Sequence, residues 1–572
     1  METVPQYPVD QSTVRPNLPE KYYLDHFHEF LEMIESLYTP VLEAEHRNLL
    51  NDFRSLSTDA RCLYVRMLNR QGRIFDRGRF SYAEIGDIPA TLKELEAKAF
   101  ARSLVTRDFP AWLPVITRDR LLRLLSLQCS ADRYRRSWPK SRLLSFALEA
   151  LDPNHPSSHE LMTRFVLQGR CEEISYLLFL YFGRREEGLS RFTLRDLGVV
   201  RTARFKRQFK PRFTDRETAL SSWFYCRKLH QVQSLPQDEL RHLAAEVPQW
   251  PTAVDSDADI LRQQALYRLG EQAERYGDID VAEHIYGHAE GWPSSERLAR
   301  LAYARGERDN VAAMLSEMLD SPACEEELLF AQDYQARKYG RKRTALITDL
   351  LRSGPERGID ESYRDIPEEG VANWYRARGA RVYYSENRLW RRLFGVIFWE
   401  MLFNRENAAL HNDFEKRPRD LDNGTFYRRH EADIEQVLQS FDDVHGLHRR
   451  LLNTVAREYG KANSIFRWAP DILDMLRDCL FALPTRGLAE MMRRMAQDFR
   501  GNCSGYPDLL VIENSSARFV EVKAEGDQLR RNQLKQITAL ERAGIPVAVD
   551  RIKWSLDPDQ SYVVVDLSLI HI

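Results

Sequence analysis

The 572-residue chain has no run approaching the ~18 consecutive apolar residues that a membrane-spanning helix needs. Its opening, METVPQYPVDQSTVRP, lacks the apolar core of a signal peptide. Both absences lead to the expectation of a cytoplasmic protein with no membrane partner. Cysteine is scarce as well: the seven residues at 62, 129, 171, 226, 324, 479 and 503 form no CxxC pair and no Cys/His ligand spacing. Reduced, mostly buried thiols are expected, without a zinc module or a disulfide framework. A surplus of charge of one sign is also missing, since 83 Lys+Arg face 85 Asp+Glu for a net charge of −2. That excludes a uniformly basic nucleic-acid binder, but it allows basic faces balanced by acidic regions elsewhere. Lysine is rare beside arginine. Arginine is the better phosphate fork, although a genome-wide codon bias produces the same excess.

What is present is the composition of an ordinary globular protein, 43 % apolar and 29 % charged. At this length about three to five domains are expected. Through about residue 490 the pattern is helical. Leu24, Phe27, Phe30, Leu31, Ile34, Leu37 and Tyr38 follow three-to-four spacing and predict one apolar helix face. Residues 55–85 join an N-cap at Ser57 or Thr58 to a short helix and strand-capable aromatics, with Arg61, Arg66, Arg70, Arg73, Arg77 and Arg79 among them. Residues 116–150 read as helix, basic turn, helix, which resembles a SAP-type DNA-binding hairpin as much as a generic helical hairpin. The most basic stretch, 191–219, interleaves Arg191, Arg195, Arg201, Arg204, Lys206, Arg207, Lys210 and Arg212 with Phe192, Phe205, Phe209 and Phe213. Cations neutralise phosphates and aromatics stack or anchor, so this is the best backbone-contact stretch; a solvated basic face with its phenylalanines turned into a core fits equally. From about 250 to 350, acid-rich helix pairs joined by Gly-Asp or Gly-Glu turns resemble degenerate tetratricopeptide units, read here as an internal spacer.

The last 75 residues break this pattern. DLLVI and RFVEVK are two short strands around the turn ENSSA, followed by an amphipathic helix ending at Gly544 and a strand IPVAVDRI. Period-two alternation puts Glu521 and Lys523 on one strand face, and Asp508 can meet them across the hairpin. Two carboxylates and the Val522 carbonyl are hard oxygen ligands suited to Mg²⁺ or Mn²⁺, one ion or two. An ammonium beside them can hold water or stabilise charge on phosphorus. This is the PD…(D/E)xK pattern of metal-dependent nucleases. Other short matches lack it: Pro470-Asp471 and Pro558-Asp559 have no partner at the right spacing, and Glu96-Ala97-Lys98 lies in a solvent-facing helical run.

SGYPDLLVI…FVEVKAEGDQLRRNQ resembles the virus-type replication-repair nuclease (VRR-NUC) domain. With the 55–85 segment, the DLG-containing basic stretch and the repeat-like helices, the layout resembles the Fanconi-associated nuclease family in its shorter bacterial form, without the ubiquitin-binding zinc finger. The resemblance implies a further metal ligand upstream at Glu386 in YYSENRLWRRLFGVIFWEMLF, at the start of an amphipathic helix whose Leu389, Leu393 and Ile397 face a core. Glu490 is the alternative acid. It also implies a role for Gln533 in orienting water or phosphate.

The expected fold is multidomain. Mostly α-helical N-terminal and central regions would precede a C-terminal α/β, restriction-endonuclease-like domain. The expected boundaries are 1–115 (helical, DNA-binding), 116–240 (SAP-like hairpin and basic region), 241–370 (tetratricopeptide-like repeats) and 371–572 (VRR-NUC nuclease). The implied activity is 5′-flap endonuclease and 5′→3′ exonuclease in interstrand-crosslink repair. It would act on branched or flapped duplex DNA gripped by Arg61, Arg66, Arg70, Arg73, Arg204, Lys206, Arg207, Lys210 and Arg212. A monomer, nucleoid-associated when on DNA, is compatible with this reading. A Holliday-junction resolvase-like endonuclease and a non-catalytic DNA-binding helical adaptor are the alternatives.

Overall fold

The three-to-four spacing near the N-terminus builds helix α1 (Tyr22–Tyr38), which buries Leu24, Phe27, Phe30, Leu31, Ile34 and Tyr38 and leaves Leu37 half-buried. The computed structural model describes residues 19–186, 188–196, 209–340, 350, 354–404, 408–514 and 516–555. These residues fall into two compact units, the first running to Arg227 apart from Phe209, and the second taking Phe209 and the residues from Lys228 onward.

In the first unit, α1 is followed by α2 (Ala44–Arg54) and α3 (Thr58–Leu68). Ser57 is the N-cap of α3, its Oγ accepting from the Ala60 N–H at 3.2 Å. The aromatic residues that follow enter β1 (Ile74–Asp76), which joins β2 (Ala101–Ser103) and β3 (Phe165–Gln168) in an antiparallel sheet of order β1-β3-β2. Helices α4 (Arg118–Gln128) and α5 (Lys140–Ala150) form the expected hairpin, packed through Leu121, Leu125, Leu143 and Ala147. Helix α6 (Cys171–Phe182) is buried along its length from Ile174 to Phe182.

The second unit opens with a helical array: α7 (Ser256–Arg275), α8 (Ile279–Tyr286), α9 (Ser294–Ala304), α10 (Arg308–Asp320) and α11 (Glu325–Lys338). Two of its turns share one construction. Gly277 and Gly306 take φ of +79° and +89°, and the next residues, Asp278 and Glu307, donate back to Ala273 (2.9 Å) and Ala302 (3.1 Å). This six-to-one bond around a left-handed residue closes a helix, and glycine adopts it without a Cβ clash.

The rest of the unit is α/β. Its five-stranded sheet has the order β4-β8-β7-β6-β5 and uses β4 (Glu356–Asp360), β5 (Arg381–Tyr384), β6 (Leu509–Glu513), β7 (Ser516–Lys523) and β8 (Val547–Ser555). The β5–β6–β7 part is antiparallel, while β8 runs parallel to β7 and β4. The sheet thus begins at Glu356, upstream of residue 371. Alternation divides its side chains between two cores. Leu509, Val511, Val520 and Val522 pack with Val371, Ala372 and Tyr375 of α12 (Pro367–Arg376). Leu510, Ile512 and Phe519 pack with Leu389, Trp390, Leu393 and Phe394 of α13 (Leu389–Ile397), in a core shared with α14 (Phe426–Gln439), α15 (Val444–Glu458), α16 (Ile472–Ala482) and α17 (Thr485–Gln497). Helix α18 (Arg531–Arg542) connects β7 to β8. No helix of the described residues is long and apolar enough to cross a membrane. All seven cysteines are free, with Cys62, Cys226 and Cys479 buried and the other four half-buried.

Candidate active site in the C-terminal sheet

The antiparallel register pairs Leu509 with Val520, and one step further along the hairpin sets Asp508 opposite Glu521. The carboxylate of Asp508 accepts from the Val522 N–H at 2.8 Å, which fixes it against β7. Glu521 and Lys523 share the strand face that alternation predicts, with Lys523 Nζ 2.9 Å from Glu521 Oε1. Gln533, in the first turn of α18, closes the group. Its Nε2 donates to Glu521 Oε1, and its Oε1 accepts from the Arg530 N–H at 2.9 Å and from Lys523 Nζ at 3.4 Å.

A turn from β5 completes the edge of the site. The backbone N–H groups of Ser385 and Glu386 both donate to the Asp508 carbonyl, at 2.8 and 3.3 Å, and Ser385 Oγ donates to the Pro507 carbonyl at 2.8 Å. Asn387 holds the turn with a left-handed φ of 51° and donates to Glu386 Oε1 at 3.0 Å. Glu386 therefore sits in this turn, ahead of α13, and not at the helix start as the sequence reading expects. Its position follows from the 507–508 backbone it is bonded to. A cleft of about 420 Å³ is bordered by Asp508, Glu386, Arg388, Tyr384, Glu368, Glu369 and Ile366.

Burial and like charge dominate the electrostatics. Asp508 is 8 % exposed and Glu521 is fully buried. Burial, then the Glu521 charge, pushes the Asp508 carboxyl well above the ordinary range, against the Val522 N–H, with Glu386 and Glu368 adding to the rise. Glu521 is likewise raised by burial and by Glu386 and Glu368, while Lys523 opposes the rise. Glu521 Oε2 has no hydrogen-bond partner in the protein. A buried, unpartnered carboxylate oxygen beside a second acid is costly unless a cation or proton meets it. The donor set thus fits a divalent ion: hard oxygens, excess negative charge and one oxygen with nothing else to do.

The structure gathers Asp508, Glu521, Val522, Lys523, Gln533 and Glu386. Glu490 is elsewhere, exposed on α17 and paired with Arg493 at 2.6 Å. Asp471 lies 3.4 Å from Arg392, and Asp559 is outside the described residues. Glu368 escaped the sequence reading. Its Pro-Glu-Glu start looks like any helix N-terminus, where acids suit the dipole, and only the fold carries it to the cleft. A second group, Glu43, Glu45 and His46, has ligand-type atoms within 4.8 Å of one another. There His46 Nδ1 already accepts from the Glu43 N–H at 3.2 Å.

The cations proposed from sequence have varied surroundings. Arg66 is held by Glu84 through two contacts of 2.9 and 2.6 Å and lies 3.9 Å over the Tyr23 ring. Arg61 is half-buried near Thr58, whereas Arg70 and Arg73 are exposed, Arg73 with Glu172 at 3.5 Å. Lys210 is exposed, and the Arg212 N–H donates to Tyr38 Oη at 3.1 Å. Phe192 and Phe213 are buried, Phe213 stacked on Phe179 at 5.4 Å. Arg204, Lys206 and Arg207 lie outside the described residues.

Comparison with known proteins places the chain beside nucleases. The family described as "FAN1, HTH domain" matches residues 21–102, and "VRR-NUC domain" matches residues 445–554. A "Fanconi-associated nuclease 1 homolog" from Pseudomonas aeruginosa is 27 % identical over 573 residues, covering 96 % of this chain and 99 % of the relative. The homolog of that name from Arabidopsis thaliana is 23 % identical, covering 94 % of this chain and 67 % of its own length. The crystal structure of paFAN1 bound to 2-nt 5′-flap DNA with a gap superposes with a TM-score of 0.78 at 25 % identity, covering 95 % of this chain and 100 % of that one. A second, with 1-nt 5′-flap DNA, gives 0.79 over 94 % of this chain and 100 % of that one, again at 25 % identity.

Proposed function

The chain belongs to the Fanconi-associated nuclease family, as a DNA nuclease with a VRR-NUC domain, and on that premise we propose that it is a structure-specific enzyme that cuts 5′-flapped DNA. The proposed activities are 5′-flap endonuclease and 5′→3′ exonuclease, serving interstrand-crosslink repair. The observation that carries the reading is the Asp508–Glu521–Lys523 group, with Glu521 Oε2 buried and unpartnered. The flap-bound relatives support the choice of substrate.

Asp508, Glu521, the Val522 carbonyl and Glu386 would hold Mg²⁺ or Mn²⁺. When bound, such an ion supplies Lewis acidity to the scissile phosphate and lowers the pKa of water. The protein's own groups do the placing. Lys523 Nζ, tethered between Glu521 and Gln533, holds the attacking water and meets the charge growing on phosphorus. Gln533 keeps Glu521 turned so that Oε2 points away from its protein partners. In the proposed step water attacks phosphorus, the P–O3′ bond breaks and the 3′ oxygen leaves and takes up a proton, giving a 5′-phosphate and a 3′-hydroxyl. Recognition by phosphate contacts follows DNA shape rather than sequence.

The test is a cleavage map on labelled 5′-flap, 3′-flap and four-way-junction DNA with Mn²⁺ or Mg²⁺. Cutting confined to the 5′-flap and lost in Glu521→Gln, with DNA binding retained, is the expected result. Preferential paired incision of the four-way junction would replace the reading with a resolvase.

A further inference from the structure

Helix α18 faces two ways. Gln533 reaches Glu521 and Lys523 on one side. At 100° per residue, Arg531 and Lys535 lie together on the other, one turn apart. There they meet the helical array. Arg531 forks onto both carboxylate oxygens of Glu296 in α9, the longer contact being 3.0 Å. Lys535 Nζ donates to Glu326 of α11 at 2.7 Å and to the Gly501 carbonyl at 3.1 Å. Further along α18, Arg542 is 3.6 Å from Glu325, which also pairs with Arg494 of α17. Lys535 is 2 % exposed and Glu296 is 8 % exposed. The Arg531 guanidinium also lies 5.8 Å from the Phe330 ring centre in α11.

Ion pairs with a buried member gain little net stability over apolar packing of the same shape, but they fix relative position, because a buried charge has few places to be satisfied. Glu296 meets Arg531 and Arg300 of its own helix, and Lys535 meets Glu326 and the Gly501 carbonyl. Here they fix a helix whose next residues touch the site. A shift of α18 by one residue, 1.5 Å, moves Gln533 Nε2 away from Glu521 and releases Lys523.

We infer that the helical array is a positioning element for cleavage: Glu296 and Glu326 clamp α18 through Arg531 and Lys535, and through Gln533 the clamp orients Glu521 and Lys523. The array thereby governs metal affinity and turnover from acids that touch neither metal nor DNA. This rests on the proposed nuclease site. Arg531 and Glu296 are positioning residues, and Gln533 is the link.

The experiment uses the full-length protein with Arg531→Met, Glu296→Gln, their double variant, Gln533→Ala and Gln533→Ala/Arg531→Met. Mn²⁺ affinity is measured by calorimetry on the free protein, the single-turnover rate on saturating 5′-flap DNA, and Tm as the folding control. Arg531→Met and Glu296→Gln are each expected to weaken Mn²⁺ binding and slow cleavage about tenfold, in the range seen when supports behind metal ligands are removed. Apparent KM for DNA should not change. The double variant should be no worse than the worse single one, and Arg531→Met should add nothing once Gln533 is alanine. Arg531→Lys, which keeps the charge, should recover part of the loss. A lowered Tm with unchanged Mn²⁺ affinity and rate overturns the inference, as does a full additional loss in the Gln533→Ala background. If Glu521→Gln still cleaves, the nuclease site itself is misassigned. If Glu521→Gln is dead while Gln533→Ala matches the unmodified protein, only the clamp is refuted.

Discussion

Glu521 has one oxygen shared between Lys523 and Gln533 and another with no protein partner. Together with Asp508 it carries a proton affinity raised by burial and by neighbouring acids. Between the ordinary carboxylate range near pH 4 and neutrality, the folded metal-free protein therefore binds more protons than the unfolded chain. Its stability must fall as pH rises through that window, by about 1.4 kcal/mol per pH unit for each such proton. Thermal melts in EDTA should show Tm dropping from pH 5 to pH 8. Saturating Mn²⁺ should flatten the curve, because a bound cation replaces the proton, and Glu521→Gln should remove much of the drop. Glu368 belongs to the same balance, since its charge contributes to the rise at both carboxyls. Glu368→Gln should weaken Mn²⁺ binding by up to about tenfold in a calorimetric titration, less than Glu521→Gln does. Asp508, Glu521 and Lys523 are legible in the sequence because strand alternation and a short hairpin are local rules. Glu368 is not, since no local rule connects a helix N-terminus to a strand so far along the chain.

At the scale of elements, the hairpin, α18 and β8 were readable from their period and their turn residues, and so was the helical hairpin of α4 and α5. How the elements dock was not. Strand β4 gives no sign in the sequence that it adds to β8, yet its Arg357 donates to Asp550 at 2.9 Å, and Tyr375 Oη of α12 donates to the same carboxylate at 2.6 Å. Asp550 is fully buried, so this one side chain ties β4, β8 and α12 together beside the strand that carries Glu521. Asp550→Ala leaves Arg357 and Tyr375 without their acceptor and should cost about 3 kcal/mol, toward the low end for a broken buried pair because Arg357 retains some access to water. Urea denaturation measures this directly. A loss under 1 kcal/mol would mean that strand pairing alone holds β4. The 385–387 turn shows the same limit. Periodicity extends the α13 pattern toward Glu386, but the bonds of Ser385 and Glu386 to the 507–508 backbone stop it at Leu389.

For the whole molecule, 83 cations against 85 acids is a total with very different parts. Acids of the array are engaged by the nuclease helices, as Glu296, Glu325 and Glu326 are by Arg531, Arg494 and Lys535. Outside the array, Glu368, Glu369, Glu386 and Asp508 border the cleft, where the proposed divalent ion would answer them. We propose that exposed cations of the first unit, Arg70 and Arg73 among them, act with the basic sequence stretch at 191–212 in meeting phosphate. Exposed and buried charges respond differently to salt, since screening acts mainly on the former. DNA affinity should fall steeply as salt rises, with a log–log slope of about −0.9 for each phosphate contacted in duplex DNA. Reversing charge at Lys206 and Arg207 should weaken binding to 5′-flap DNA and flatten that slope by about one unit per lost contact. On the proposal that those residues grip phosphate, calorimetric Mn²⁺ affinity should stay at the unmodified value. A salt slope unchanged by the reversal would remove 191–212 from the DNA interface and leave the grip to the arginines of 61–79.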